Sequence, residues 1–219
     1  SFQLSDLPQA IQVAYKNRKY AIVTDYLRLK ILFEYGGVYL DTDIEIRKDF
    51  SNLLDSSSIV LGFIFKYSLG TAFIACEKNN CLIKAILDQY QSATYDFDSF
   101  SNKFTLTFSF LHDFPMINNN DLFTAFFLKN VPNFRLNGKL QHCGKYNEIT
   151  IYPKEYLEGY SINPRNDYTI HHCMNSWTQK AKESKIKRKL KNYYILRLLN
   201  DIYKRNTKKN LPFKNYVVK

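Results

Sequence analysis

The sequence has no apolar run long enough to cross a membrane. A membrane-spanning helix needs about 20 consecutive, mostly apolar residues, and no run in this 219-residue chain approaches that length. The chain also opens without the basic and apolar segments of a secretory signal peptide. We therefore expect neither a membrane span nor a signal peptide. Apolar residues still make up 45% of the chain, the share of an ordinary globular core.

Cysteine is scarce, and no two cysteines form a CxxC pair. The four cysteines are Cys76, Cys81, Cys143 and Cys173. Their scatter argues against a disulfide framework, which relies on dense cysteines in small secreted domains. We expect free, mostly buried thiols in a reducing compartment, which favours the cytoplasm.

Acidic residues are scarce near the C-terminal end of the chain. Residues 178–219 contain 14 Lys and Arg but only 2 Asp and Glu, a net charge of +12 within a total of +11 for the chain. Residues 1–177 are therefore close to neutral, at −1. The change in composition at Trp177 predicts a folded domain over residues 1–177 and a basic helical tail over residues 178–219.

The basic tail carries an amphipathic pattern over residues 180–203. Its apolar stripe consists of Ile186, Leu190, Tyr194 and Leu198, with Lys and Arg on the other faces. This pattern fits a solvated helix that packs on the domain along one stripe. It also fits a peripheral contact with an anionic membrane, at about 1 kcal/mol for each basic residue near the surface. A nucleic-acid-binding arm is the third and least favoured interpretation.

What the chain does contain is a helix that leads into a double glycine. Residues 24–35 place apolar side chains three to four apart, which predicts a helix. Gly36 and Gly37 follow, and glycine adopts the left-handed conformation of a helix C-terminus without steric cost. Asp25 and Arg28 are three residues apart and therefore share one helix face.

Two carboxylates follow the double glycine. Residues 38–43 predict a short strand, whose alternation places Tyr39, Asp41 and Asp43 on one face. Mg²⁺ and Mn²⁺ take oxygen ligands and are usually held by one or two carboxylates together with substrate phosphates. An Asp-x-Asp pair at a strand end therefore suits a metal–diphosphate complex. The same tripeptide is also common in turns without any function, so the argument depends on the residues around it.

The spaced pattern (S/T)-D-x-x-R-x(7)-G-G-x-Y-x-D-x-D over residues 24–43 resembles the sugar-binding region of glycosyltransferase family 32. That family includes capsule and surface-glycan transferases and yeast mannosyltransferases, and the glucosylating toxins carry a related region. The resemblance implies an α/β fold of the GT-A type, which is Rossmann-like with a mixed central sheet. It also implies a metal-dependent, retaining enzyme with a nucleotide-sugar donor.

The resemblance assigns roles to individual residues of the motif. Asp43 is expected to bind the metal directly, and Asp41 to contact the donor's ribose or sugar and the water shell of the metal. Asp25 and Arg28 are expected to hold the donor sugar, and Tyr39 to lie in the nucleotide-sugar pocket. The expected catalytic residues are thus Asp25, Arg28, Asp41 and Asp43, with Mn²⁺ or Mg²⁺ as cofactor.

A second part of the resemblance lies in residues 170–177. Relatives commonly have two histidines and a later Ser-Trp, which match His171, His172, Ser176 and Trp177. A neutral imidazole can complete a metal site begun by two carboxylates. Neighbouring strand residues face opposite ways, so we expect one histidine to reach the metal and favour His171 over His172. The resemblance places Ser176 and Trp177 in the donor pocket; purely structural roles for all four are the alternative.

Other stretches give coarser expectations. The resemblance implies a first strand and helix that hold the nucleotide base, and nothing before residue 20 supplies them, which predicts a shortened chain or a different base pocket. Residues 91–120 are rich in Phe, Ser, Asp and Asn and are expected to form a loop or lid facing the acceptor, with His112 as a loop histidine. Asp121 is expected to cap a helix over residues 121–130.

The combined expectation is a hexosyltransferase that uses a nucleotide-diphosphate sugar, most simply a UDP-sugar. Its acceptor would be a glycan or a lipid-linked glycan in surface polysaccharide synthesis. The enzyme would work in the cytoplasm, or peripherally on the inner face of the membrane through residues 180–203. Nucleic acid is not an expected partner.

Two other functions remain as alternatives. In an Asp-dependent phosphatase or phosphotransferase, Asp41 would be the nucleophile and Asp43 the acid. Such enzymes normally open with this motif and need a later Lys and acidic pair, whereas here a helix with Asp25 and Arg28 precedes it. The other alternative is a non-catalytic protein that binds through its basic tail. The neutral residues 1–177 and the lack of a recognised nucleic-acid module count against it.

Overall fold

The computed structural model describes residues 3–54, 57–65, 67–111, 118–146, 148–159 and 163–172, together with Phe213 and Tyr216. The helix predicted over residues 180–203 lies outside the described residues, as do His112, Ser176 and Trp177. The division into residues 1–177 and a basic tail therefore stays a prediction.

A mixed five-stranded sheet forms the centre of the described structure. Its strands lie in the order β1 (Gly37–Leu40), β4 (Ser68–Cys76), β3 (Ile59–Phe65), β8 (Ile149–Tyr152) and β7 (Gln141–Cys143). β3 and β8 run parallel, and the other neighbouring strands run antiparallel. β3 and β4 are buried along nearly their whole length, as their almost continuous apolar sequence predicts. The predicted α/β class with a mixed central sheet is confirmed.

Helices pack against the sheet and against one another. They are α1 (Gln9–Lys16), α2 (Tyr20–Tyr35), α3 (Cys81–Gln91), α4 (Asn119–Asn130) and α5 (Lys154–Leu157). α2 contacts α1, α3, β1 and β4, and α4 contacts β4. Leu29, Ile74 and Phe123 are fully buried in the core between these elements, and each such side chain contributes about 1.5–3 kcal/mol by leaving water. None of the helices in the described part of the chain combines the length and apolarity that a membrane span requires.

A small second sheet brings the end of the described chain to the carboxylate motif. β2 (Ile44–Ile46) pairs antiparallel with β9 (Thr169–His171), and Ile44 lies opposite His171. His171 is therefore placed beside the residues that directly follow Asp43. This pairing joins two segments that are far apart in the sequence, so no local pattern specifies it.

A hairpin occupies part of the stretch that was predicted as a long loop. β5 (Thr94–Asp98) and β6 (Lys103–Thr107) pair antiparallel, so the loop prediction is wrong here. The rings of Tyr95 and Phe104 stack across the hairpin at 5.9 Å. Asp98 accepts two backbone hydrogen bonds in the connecting turn. Cross-strand aromatic pairing thus outweighs the polar composition that favoured a loop.

The start of α4 also differs from the prediction. Asn118, not Asp121, is the N-cap, and its side chain accepts from the backbone N–H of Asp121 at 3.2 Å. The Asp121 carboxylate accepts in return from the N–H of Asn118 at 3.2 Å. This reciprocal pair is a capping box. The helix therefore begins earlier than predicted, with Asn119 and Asn120 in its first turn.

Candidate active site

The turn after α2 requires glycine at position 36. Gly36 has a φ of 69°, and a Cβ there would lie 2.6 Å from the backbone nitrogen of Lys78. Its N–H donates to the carbonyl of Leu32 at 2.8 Å, which ends the helix as predicted. Because α2 passes so directly into β1, the end of the strand lies beside the helix face that carries Asp25 and Arg28.

β1 ends at Leu40, so the strand predicted over residues 38–43 is too long. Asp41 still donates its N–H to β4 at 2.8 Å, but the next two residues form a turn. A hydrogen bond of 3.0 Å from the N–H of Ile44 to the carbonyl of Asp41 closes this turn. The turn, rather than strand alternation, brings the carboxylates of Asp41 and Asp43 to one site.

Arg28 is buried at the centre of a partly buried group that we call the Arg28 cluster, formed by Asp25, Arg28, Tyr39 and Asp41. Its guanidinium contacts Asp25 at 2.7 Å and Asp41 at 3.1 Å, and donates to the carbonyl of Thr71 at 2.9 Å. It also lies over the ring of Tyr39, 4.5 Å from the centroid. The Tyr39 hydroxyl donates to Asp41 Oδ1 at 2.7 Å. Arg28 is only 9% exposed, so these bonds compensate the loss of its hydration.

The surroundings change the acidity of two members of the Arg28 cluster. Burial raises the pKa of Asp25 to about 6; Arg28 opposes this shift, and the charge of Asp41 adds to it. Burial also raises the pKa of Tyr39 above its ordinary value, while Arg28 lowers it and the hydrogen bond to Asp41 raises it further. Tyr39 is therefore a fixed hydrogen-bond donor to Asp41 at neutral pH.

Asp41, Asp43 and His171 form a second group, which we call the metal triad. One ligand atom of each residue lies within 4.8 Å of those of the others. His171 Nε2 is 3.3 Å from Asp43 Oδ1 and 4.0 Å from Asp41 Oδ2. Around an octahedral Mg²⁺ or Mn²⁺, ligand atoms lie about 3 Å apart when adjacent and about 4 Å apart when opposite. The spacing and the oxygen-rich donors therefore fit such an ion.

The two neighbouring histidines face different partners. His171 Nε2 points into the metal triad, whereas His172 Nε2 lies 3.0 Å from Glu45 Oε2. The backbone N–H of His172 donates to the carbonyl of Asp43 at 3.0 Å. The structure thus places His171, the preferred residue, in the metal triad and leaves the side chain of His172 outside it.

Glu158 lies beside the metal triad, and no sequence pattern had indicated it as a site residue. Its Oε2 lies 2.9 Å from His171 Nδ1, on the side of the ring away from Asp43. The residue follows the short helix α5 and is 3% exposed. A lone Glu before a glycine gives no local signal, so only the packing of α5 against β3 and β9 reveals this contact.

A cavity of about 310 Å³ adjoins the Arg28 cluster. It is lined by Ile22, Asp25, Tyr90, Lys103, Phe104, Thr105, Leu106, Phe108, Asn118, Asn119 and Leu122. Asn119 lines the cavity, and its buried Nδ2 has no hydrogen-bond partner among the described residues, which is rare for a buried donor. The run of three asparagines at the start of α4 is the signal that could have indicated these amides.

Comparison with known proteins agrees with this geometry. Residues 1–60 match the family described as the glycosyltransferase sugar-binding region containing the DXD motif. That match covers Asp25, Arg28, Tyr39 and both motif carboxylates, but not His171 or Glu158.

Curated relatives match between 27% and 35% of the chain. The human lactosylceramide 4-alpha-galactosyltransferase is 32% identical over 77 residues, which cover 35% of this chain and 21% of the relative. The rat enzyme of the same name is 36% identical over 59 residues, which cover 27% of this chain and 15% of the relative. The chain thus spans about a fifth of the length of the curated relatives it matches. No solved structure gives a significant match.

Proposed function

The chain carries a glycosyltransferase sugar-binding region of the DXD type, and we propose that it is a metal-dependent glycosyltransferase. It would move a hexose from a nucleotide-diphosphate sugar to a glycan or lipid-linked acceptor. One observation carries this proposal: the metal triad and the Arg28 cluster meet at Asp41. Asp41 Oδ1 faces Arg28 and Tyr39, while its Oδ2 faces His171.

The metal triad would hold the cation. Asp43 and His171 offer an oxygen and a nitrogen 3.3 Å apart, and Asp41 Oδ2 offers a further oxygen or a contact with bound water. A bound Mn²⁺ or Mg²⁺ supplies Lewis-acid stabilisation of the departing diphosphate. A short turn and a paired strand hold these donor atoms in place, so the site needs little reorganisation to bind the ion.

The Arg28 cluster would hold the sugar. Arg28 fixes the carboxylate of Asp25 from one side, and Asp25 also lines the cavity. An ionised carboxylate accepts hydrogen bonds from sugar hydroxyls, and Asn119 Nδ2, which has no partner among the described residues, would donate one. A volume of about 310 Å³ lies at the lower end of the roughly 300–1,000 Å³ of small-molecule sites, which suits one hexose ring.

The finer parts of the proposal rest on the resemblance and on the relatives' names. The GT-A fold, a UDP-sugar donor and retention by same-face attack come from the family pattern, as do donor contacts by Ser176 and Trp177. The relatives are named for alpha-galactosyl transfer to lactosylceramide, which supports a lipid-linked acceptor. Roles in surface polysaccharide synthesis and at the cytoplasmic membrane face come from the sequence alone.

Phosphoryl transfer through Asp41 is less well supported. A nucleophilic carboxylate needs a free oxygen directed at the substrate, but Asp41 Oδ1 already accepts from both Tyr39 and Arg28. Its other oxygen faces His171. This arrangement favours a positioning and ligand role for Asp41 over a covalent one.

The direct test is a screen of nucleotide sugars with Mn²⁺, scored by release of the nucleoside diphosphate. We expect Asp43→Asn to lower turnover by roughly 100- to 1,000-fold, the usual cost of one lost electrostatic contact in the transition state. Asp88→Asn, an exposed residue of α3 that pairs with Lys84, is the matched control and should be fully active. Full metal-dependent turnover by Asp43→Asn would show that the site is misassigned.

A further inference from the structure

We propose that Glu158 is a positioning residue for the metal triad: it fixes the tautomer of His171, and Gly70 provides the space for its carboxylate. The expected effect of Glu158 on metal binding rests on the proposed metal site. Its structural part, the state of the His171 ring, can be tested without any metal.

The two ring nitrogens of His171 face carboxylates at different distances. Glu158 Oε2 lies 2.9 Å from Nδ1, whereas Asp43 Oδ1 lies 3.3 Å from Nε2. A carboxylate accepts the N–H of an imidazole, so the shorter contact favours the proton on Nδ1. In a neutral imidazole this leaves Nε2 with a lone pair, and Nε2 is the atom that faces Asp43 at 3.3 Å. A metal ion needs that lone pair, so Glu158 presents His171 in its ligating form.

The carboxylate of Glu158 is buried with one oxygen unsatisfied. The Glu158 side chain is fully buried, and its Oε1 has no hydrogen-bond partner among the described residues. Burying a carboxylate with an unsatisfied oxygen is unfavourable, and such groups are seldom found without a role. A cation on the far side of the His171 ring would supply the missing compensating charge.

A glycine lies opposite the carboxylate of Glu158. A Cβ at Gly70 would lie 2.1 Å from Glu158 Oε1 and 2.7 Å from its Cδ. Gly70 sits inside β4, where glycine weakens a strand and marks the close approach of another group. Here that group is the carboxylate of Glu158, so even a methyl group at position 70 would displace it.

The neighbouring histidine supplies a matched control. His172 makes a bond of the same kind to Glu45, at 3.0 Å. Glu45, however, is 41% exposed and also pairs with Arg47 at 2.8 Å. Removing Glu45 deletes a carboxylate–histidine bond one residue away from the metal triad without touching it.

The metal-free test is the tautomer of the neutral His171 ring, measured by ¹⁵N NMR of the full chain. A His171→Gln variant identifies the His171 signals among those of the four histidines of the chain. We expect Nδ1–H in the wild type and in Glu158→Gln, because the Gln oxygen still accepts. In Glu158→Ala the nearest acceptor among the described residues is Asp43, beside Nε2, so the proton should move to that nitrogen.

The second readout is Mn²⁺ binding, followed by electron paramagnetic resonance with the metal alone. We expect Glu158→Ala and Gly70→Ala each to weaken binding about 10- to 100-fold, as for other partners of ligating histidines. Glu158→Gln should recover most of this loss, and Glu45→Ala should bind as the wild type does.

The two readouts separate the possible failures. An Nε2–H tautomer in the wild type, or an unchanged Nδ1–H in folded Glu158→Ala, overturns the positioning role whatever the activity. The predicted tautomer change without any Mn²⁺ binding in the wild type supports Glu158 as the positioning residue and counts against the proposed metal site. The Gly70→Ala variant keeps all three residues of the metal triad and Glu158. A loss of Mn²⁺ affinity in this variant therefore cannot come from a deleted charge.

Discussion

The two halves of the candidate site are built in different ways. The Arg28 cluster comes from one contiguous stretch of chain, and the guanidinium already has its partners in Asp25, Asp41 and the Thr71 carbonyl. The metal triad needs His171 from the far end of the described chain, and it places two carboxylates beside one imidazole. The first half is a closed hydrogen-bonded unit. The second is an arrangement of ligand atoms that a cation would complete.

Because of this difference, we expect substitutions in the two halves to change different quantities, either the folding stability or the response to added metal. Loss of Arg28 should appear mainly as lost folding stability, because its guanidinium is the cation that Asp25 and Asp41 share in the absence of any ligand. Damage to the metal triad should appear mainly as lost metal response, because it removes an atom that would bind the ion. Asp41 belongs to both halves and should show both effects.

Arg28→Ala should have the largest effect on stability. The change leaves Asp25 and Asp41 without their shared buried cation, and breaking a buried ion pair in this way costs about 3–5 kcal/mol. Arg47→Ala is the control, since Arg47 is 50% exposed and pairs with Glu45 at the surface, where the cost is about 0–1 kcal/mol. Urea unfolding of both variants measures the difference. Equal losses in the two variants would mean that the Arg28 cluster does not stabilise the fold.

Metal-induced stabilisation should separate the halves most clearly. At a Mn²⁺ concentration of 100 times its dissociation constant, the wild type should gain about 2.7 kcal/mol against unfolding. His171→Ala should lose most of this gain because it removes one ligand of the metal triad. Asp25→Asn should retain it, because Asp25 contacts Arg28 and not the triad. Thermal unfolding with and without Mn²⁺ tests this, and an equal loss in both variants would contradict the division.

The sequence allowed much of the first half to be predicted. The double glycine, the helix face of Asp25 and Arg28, and the strand leading to Asp41 are all local patterns. The structure places these residues together, although the strand is shorter than predicted. The nearly continuous apolar runs of β3 and β4 are a local pattern of the same kind, typical of buried strands. These successes share one cause: local spacing and turn chemistry determine the geometry.

The contacts made by Glu158 and Asn119 could not be predicted in the same way. Glu158 reaches His171 only because α5 packs against β3 and β9, and because Gly70 of β4 leaves space for it. The capping box starts α4 at Asn119, earlier than predicted, and Asn119 in this first turn lines the cavity. The cavity wall also includes β6, which lies in a stretch predicted as a loop. Each of these features depends on tertiary packing between segments that carry no shared sequence pattern.

The smallest expected effect is a pH dependence that belongs to the Arg28 cluster alone. The pKa of Asp25 rises from 3.8 to about 6 because burial disfavours the charged carboxylate more than Arg28 favours it. Between about pH 4 and pH 6 the folded protein therefore binds a proton that the unfolded chain has lost. Stability must then fall as pH rises through this window, and the loss is complete above about pH 6. We expect the loss to be about 1–2 kcal/mol, since the side chain is 24% exposed.

Asp25→Asn should remove this part of the pH dependence. The neutral amide resembles the protonated carboxyl, so variant and wild type should have similar stability at pH 4, which serves as the internal control. At pH 7 the variant should be more stable than the wild type, by the free energy of unfolding that the wild type loses between pH 4 and pH 7. Urea unfolding of the metal-free proteins from pH 4 to pH 7 measures the difference. Parallel stability curves would show that Arg28 fully compensates the charge of Asp25. The ion pair would then offset the cost of burying this carboxylate more completely than the raised pKa of Asp25 indicates.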